Sequence, residues 1–330
     1  MEKVRYLETG STDPAYNLAF EEYVLTHRRD GAYLLLWQND NTIVVGRNQN
    51  TAQEIDRAFV EQHHIRVVRR GTGGGAVYHD LGNLNYSFIT DAGDAERMAM
   101  ERFTRPIVAA LQGLGLQAEA SGRNDILVEG RKVSGTAQRL TDGRILHHGT
   151  LLFDSRPEMV AGALRADPAK FRSKGAKSVR SRIGNIRDFL PEDMTLPAFW
   201  DYLKRQLAGD GLVQDALTAE ELAAVRQLKA EKYDTWEWTY GRSPSFDMVN
   251  RDYFPGGRLE IGLSVSGGRL TAVQFYGDFL SITDTTPLAQ ALVGTDYRED
   301  AVAAVLAQYP LAAMFGGITG EELLRTIFNG

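Results

Sequence analysis

Residues 67–83 read VVRRGTGGGAVYHDLGN and hold the densest set of anion-gripping groups in the chain. Arg69 and Arg70 run into Gly71-Thr72-Gly73-Gly74-Gly75, five positions of which four are glycine. Glycine admits positive φ and carries no Cβ, so successive N–H groups can line a concave phosphate site, and an adjacent arginine can fork onto two oxygens. Lys132 is a second candidate. It follows the turn Glu129-Gly130 and stands beside Val133 and close to Gly135, a rigid place from which an ammonium can point into a cleft. On its own a hairpin lysine is more often a solvated edge charge.

Two familiar phosphate loops fail here. A P-loop needs Lys-Ser/Thr after its last glycine, and Gly75 is followed by Ala76-Val77. Gly71-x-Gly73-x-x-Ala76 satisfies a loose dinucleotide pattern, but that loop must open a helix. Ala76 to Tyr78 and Leu84 to Ile89 instead alternate like strands around the turn-like Asp80-Leu81-Gly82-Asn83. The spacing therefore predicts an anion held between strands.

The elements that must position these groups are legible in outline. Asp13-Pro14 is an N-cap followed by proline at the first helical position, and Ala15, Leu18, Ala19, Glu22 and Tyr23 continue an amphipathic helix. Ala32 to Trp37, Thr42 to Val45 and Ile65 to Val68 read as strands. Glu96 to Leu111 reads as a helix with a kink or restart at Pro106. Ile126 to Val128, Val133 to Leu140 and Ile145 to Phe153 are strands joined by the tight turns Glu129-Gly130 and Asp142-Gly143. Helices are expected over Pro197 to Leu207 and after the capping box Thr218-x-x-Glu221. Gly241-Arg242-Ser243-Pro244 marks a domain boundary. Beyond it, Leu259 to Val265 and Leu270 to Tyr276 pair across Ser266-Gly267-Gly268, and two helices complete the chain, the last from Thr319-x-x-Glu322. This tail shows no catalytic cluster.

Composition narrows the chemistry. The 330 residues carry a net charge of −6, which disfavours nucleic acid as a partner without excluding a nucleotide. No apolar run is long enough to span a bilayer, and MEKVRYLETG lacks a signal-peptide core, so a cytoplasmic protein is expected. Cysteine is absent, which removes thiolate metal sites and any cysteinyl thioester. His63-His64 and His147-His148 lack the spacing of a helical metal site and read as structural. Lys170, Arg172, Lys174, Lys177, Arg180 and Arg182 crowd one loop, a solvated basic stretch by itself and a mobile cationic lid if an anion site lies nearby.

RRGTGGGAVYHDLGN, SGRNDILVEGRKVSGTAQR, HHGTLLFD and SKGAKSVRSRIGNI together resemble bacterial lipoate-protein ligases, in order and spacing through about the first 190 residues. WEWTYGRSPSF and the tail hairpin resemble the C-terminal domain of their long forms. The resemblance implies an α+β fold with mixed, largely antiparallel sheets flanked by helices: a catalytic domain over residues 1–242 and a small α+β accessory domain over 243–330. It also implies a two-step reaction, in which the lipoate carboxylate attacks the α-phosphate of ATP and an acceptor lysine then displaces AMP.

By resemblance, Lys132 touches both carboxylate and α-phosphate, which suits a compact ammonium. Arg70, Gly73, Gly74, Gly75, Ala76, Val77 and Tyr78 match the nucleotide segment, and Asn124 and Asp125 match a step near the adenylate or a structural turn. Lipoate needs a narrow apolar slot, for which Trp37, Val44, Val77 and Leu152 are candidates, with His79 and His148 able to line the same cleft. Magnesium is expected with ATP, without a visible carboxylate cage. The implied acceptors are apo lipoyl domains of 2-oxoacid dehydrogenase complexes and the glycine-cleavage H protein; neither nucleic acid nor membrane is expected as a partner. Gly71-Thr72 departs from the Ser-Ser or Thr-Ser pair of many relatives. Three alternatives remain: an octanoyl or lipoyl transferase, which in that family works through a cysteine, a biotin ligase, whose adenylate loop is arranged differently, and a non-catalytic sensor of lipoate or nucleotide.

Overall fold

In the computed structural model, residues 4–93, 100–122, 124–164, 183–208, 211–241 and 246–328 are described. The expected helix start at Glu96, the basic loop Lys170 to Arg182 and the boundary residues Arg242 to Pro244 lie outside them. The first helix, α1 (Pro14–His27), starts as its sequence dictates: Asp13 Oδ1 accepts from Ala15 N at 3.0 Å and Pro14 occupies the first turn. It is not amphipathic. Asn17, Leu18, Phe20, Glu21, Val24 and Leu25 are all buried, because the helix lies between a sheet and further helices.

The strands, in chain order, are β1 (Val4–Glu8), β2 (Ala32–Trp37), β3 (Thr42–Val45), β4 (Arg66–Arg69), β5 (Val77–His79), β6 (Asn83–Asp91), β7 (Ala118–Ser121), β8 (Asp125–Val128), β9 (Arg131–Thr141), β10 (Arg144–Leu152), β11 (Leu212–Gln214), β12 (Met248–Phe254), β13 (Gly257–Ser266) and β14 (Arg269–Gly277). Eight of them form one sheet in the order β11-β1-β2-β6-β10-β9-β8-β7. Its β11–β1 and β1–β2 pairings are parallel and the rest antiparallel. A second sheet, β4-β3-β5, packs over one face. Glu129 with Gly130 and Asp142 with Gly143 all have positive φ, the backbone of two-residue hairpin turns.

Alternation along β2 separates two cores. Leu34 and Leu36 join Tyr86, Ile107, Leu111, Phe199 and Leu203 beneath α2 (Met100–Gly113) and α3 (Leu196–Ala208). Leu35 and Trp37 join Leu18, Val24, Val44 and Val68 beneath α1 and the small sheet. The helix α2 runs through Pro106 without a break. Thr218 forms its reciprocal capping box with Glu221 at the start of α4 (Ala219–Leu228), and a π-helical turn, Lys229–Tyr233, follows.

Two pairs of consecutive strands are split between the sheets. β2 and β3 are consecutive but belong to different sheets, and so are β5 and β6. Residues 246–328 form a core of their own on β12-β13-β14, with four helices rather than two: α5 (Thr286–Leu292), α6 (Glu299–Leu306), α7 (Leu311–Phe315) and α8 (Gly320–Phe328). Pro287 and Pro310 open two of them, and Gly316 at φ 62° ends one, so α5, α6 and α7 are too short for a clear periodicity, whereas α8 starts at the expected Thr319 cap. Strands β1, β7, β11 and β12 also escaped the sequence reading.

Candidate functional site

The glycine loop connects β4 to β5 across β3, with no helix after it. Its two arginines have different surroundings. Arg69 is fully buried and donates to the carbonyls of Trp238, Gly46, Arg47, Gln49 and Thr239 and to Thr51 Oγ1, so it rivets the scaffold. Arg70 is wrapped by the loop: it donates to Thr72 Oγ1 at 2.9 Å, Val44 O at 3.1 Å, Gly73 O at 2.7 Å and Gly75 O at 2.8 Å. Four of its five N–H groups are thereby occupied. Burial lowers its pKa to about 10. Gly74 holds φ +89°, and a Cβ on Gly46 would lie 2.0 Å from its carbonyl oxygen, so the fold of the loop depends on both glycines.

Beneath the loop lies a cavity of about 120 Å³ between the two sheets. Leu18, Trp37, Val44, Val77 and Ala137 form apolar wall, and Arg70, His79, Asn124 and Lys132 line it as well. Of the residues expected at the site, Gly74, Gly75 and Ala76 also border this space. Gly73, Tyr78, Asp125 and Leu152 do not. Gly73 faces the C-terminal part, where a Cβ would come 2.7 Å from Ser281 N. Tyr78 alternates to the opposite side of β5, into a cluster with Ile43 and Val45. Leu152 lies one alternation beyond Thr150, which takes the position at the cavity.

Lys132 reaches this space through a break in strand alternation. Ile126 pairs with Ser134 but Leu127 with Lys132, a β-bulge at Val133. Val133 belongs to the core under α2 and α3, and Ser134 is fully buried on the side of Tyr86 in that same core. Two consecutive side chains therefore turn one way, which reverses the parity and sends Lys132 to the cavity side with Gly135 and Ala137. Its Nζ stands 2.8 Å from Asp125 Oδ1. Asn124 braces the next strand, donating through Nδ2 to Thr136 O at 2.8 Å.

Several contributors carry no sequence signal. Glu21, 4 % exposed, accepts from Ser87 Oγ at 2.6 Å and lies 2.9 Å from His148 Nδ1. His148 Nε2 lies 2.8 Å from Thr72 Oγ1, and Trp37 Nε1 donates to Ser87 Oγ at 2.9 Å. His79 borders the cavity with its pKa lowered to about 3, by burial first and then by Arg70 and His148, so it is a neutral imidazole. The C-terminal part also reaches the loop: Gly74 N donates to Phe279 O at 3.1 Å and Asn48 Nδ2 to Ser281 Oγ at 2.9 Å. An α1 residue or a loop from the tail can be placed at the site only by long-range packing.

An apolar slot with a cation at one edge and a glycine loop along its roof suits an acid with an apolar tail beside a phosphate. The chain matches the family described as lipoyl protein ligase A/B catalytic domain over residues 13–208, and that described as bacterial lipoate protein ligase C-terminus over residues 243–327. The chain belongs to the lipoate-protein ligase family. Among relatives of this ligase, lipoate-protein ligase LplJ of Bacillus subtilis (strain 168) is 44% identical over 322 residues, 96% of this chain and 97% of that one. A solved bi-partite lipoate protein ligase from Thermoplasma acidophilum, described with its E2 lipoyl domain, is 29% identical with a TM-score of 0.65, covering 74% of this chain and 98% of that one. A lipoate-protein ligase A solved with bound ATP is 28% identical with a TM-score of 0.63, covering 73% and 99%. No helix among the described residues is long and apolar enough to cross a membrane.

Proposed function

We propose that this ligase activates lipoate with ATP and transfers the lipoyl group to a lysine of an acceptor protein, with the slot holding the tail and the glycine loop the nucleotide. A carboxylate oxygen of lipoate attacks the α-phosphorus, the bond to the bridging oxygen breaks, and pyrophosphate leaves. The acceptor amine then attacks the acyl carbon, and AMP leaves with the bonding pair. The observation that carries the reading is the bulge that brings Lys132 to the mouth of an apolar slot roofed by Gly74, Gly75 and Ala76. There its ammonium offsets the repulsion between carboxylate and phosphate and the charge that builds at the transferring centre. Arg70, with four N–H groups spent on the loop, acts chiefly by shaping the phosphate site from within.

Asn124 and Asp125 orient this edge, and Trp37, Val44, Val77 and His79 surround the tail. Magnesium would enter with ATP and would be held mainly by phosphate oxygens. The division of labour follows the sequence boundary: residues 1–242 carry the chemistry, and 243–330 brace the loop. Acceptors are apo lipoyl domains of 2-oxoacid dehydrogenases and the glycine-cleavage H protein.

The test is the intact mass of an apo lipoyl domain incubated with the protein, lipoate and magnesium, with and without ATP. A lipoyl addition that requires ATP supports the ligase. Transfer from an acylated carrier without ATP would instead point to Thr72, whose hydroxyl, His148 and Glu21 stand in series like a nucleophile, a base and its orienting carboxylate.

A further inference from the structure

Glu21 touches neither the slot nor the loop, yet every hydrogen bond around it leads to one of them. It is buried in α1, and among the described residues no lysine or arginine pairs with it. On one side Trp37 Nε1–H donates to Ser87, and Ser87 donates to Glu21. On the other, Arg70 Nε–H donates to Thr72 Oγ1, which lies 2.8 Å from His148 Nε2, and His148 Nδ1 lies 2.9 Å from Glu21 Oε1. Ser87 and His148 are register partners on adjacent strands, so one carboxylate spans both chains. Their far ends, Trp37 and Arg70, both line the cavity.

We infer that Glu21 is a positioning residue that couples the acyl slot to the glycine loop, so that acid and nucleotide bind cooperatively. Hydrogen bonds in series inside a protein polarise one another, and both chains meet at Glu21 Oε1. An acid that settles the Trp37 indole thereby orders Ser87 and Glu21, which favours the His148–Thr72–Arg70 arrangement on which the loop is wound. Linkage makes the effect reciprocal. The inference rests on the proposed occupancy of the slot by lipoate.

Calorimetry would measure lipoate affinity with and without saturating α,β-methylene-ATP, an analogue that cannot release pyrophosphate, in the full-length protein and in Glu21→Gln, Thr72→Val and Leu18→Val. In the unaltered protein the analogue should tighten lipoate binding by about fivefold or more. Glu21→Gln and the near-isosteric Thr72→Val should bring that ratio close to one. Leu18→Val, a slot residue outside the chain of hydrogen bonds, should weaken lipoate binding and leave the ratio intact. A purely structural role would lower affinity in the first two variants at an unchanged ratio, and that result, or a ratio of one in the unaltered protein, would overturn the coupling. Absence of lipoate binding in the unaltered protein would instead refute the proposed function. Should Glu21→Gln fail to fold, Thr72→Val decides.

Discussion

Lys132 Nζ lies 2.8 Å from Asp125 Oδ1 across a bulged strand pair, so the cation at the mouth of the slot is held in place by a carboxylate. The pair is more than a third exposed on both sides, and its value lies in aiming the ammonium rather than in stability. Lys132→Ala should reduce adenylate formation about a hundredfold or more while leaving the melting temperature nearly unchanged. Asp125→Asn should cost less. Pyrophosphate release at a near-normal rate in Lys132→Ala would remove the assigned role.

Neighbouring glycines of the loop should respond differently to alanine. Gly74 adopts φ +89°, with an added Cβ 3.1 Å from Arg70 Nη2 and 3.4 Å from Leu280 Cδ2, whereas the space at Gly75 is open to 3.9 Å. Gly74→Ala should therefore destabilise by about 1–3 kcal/mol, and Gly75→Ala by well under that. Urea midpoints of the two variants check this, and equal losses would contradict the strain argument.

Glu22 faces Lys232, Arg139 and Tyr233 in a nearly closed cluster. Burial alone would raise its carboxyl, but Lys232 and Arg139 outweigh it and bring the pKa down to about 2 from 4.5. A depressed carboxylate stabilises the fold above its unfolded pKa, and the contribution, on the order of 3 kcal/mol, is lost as pH falls from about 4.5 to 2. Glu22→Gln should thus be markedly less stable at pH 7, and the difference from the unaltered protein should shrink across that window. A difference independent of pH would exclude linkage through this group.

His79 and His147 are both held neutral by burial, their pKa values lowered to about 3. The unfolded chain takes up these protons near pH 6.5 and the folded one does not, so stability falls as pH drops from about 6.5 toward 3. At pH 5 each histidine costs roughly 2 kcal/mol relative to pH 7. His147→Gln should flatten the decline in urea midpoint between pH 7 and 5 by one histidine's share.

Tail length should register directly in affinity, because Leu18, Trp37, Val44, Val77 and Ala137 wall the slot. Each methylene removed from a straight-chain acid should cost about 0.8 kcal/mol, close to fourfold in Kd. Octanoate, hexanoate and butanoate measured in series would test it; a flat series would mean that the tail lies outside the slot.

Much was legible in order along the chain. The cap at Asp13-Pro14, the turns Glu129-Gly130 and Asp142-Gly143, and the capping box at Thr218 all formed as their residues dictate, since each depends on neighbours within a few positions. Short edge strands such as β7 and β11 and the tail helices α5, α6 and α7 were not legible one by one, because segments of three to eight residues leave no firm periodicity. The amphipathic α1 of the sequence reading became a buried helix, for its polar Asn17 and Glu21 find partners in Ser11, Gln38, Asn39, Ser87 and His148.

The sequence by itself determined that a glycine loop with paired arginines would lie between strands, that a lysine would follow a tight turn, and that no thiol could take part. These are properties of residue type and local spacing. Tertiary structure decided which arginine serves the scaffold and which the loop, that Lys132 faces the slot, and that Glu21 ties Trp37 to Arg70. Side-chain direction on a strand has period two, so a single bulge at Val133 inverts it, and nothing in the local sequence reports an inversion set by pairing with β8. Buried hydrogen bonds between α1, β6, β10 and the loop likewise exist only once those elements have met.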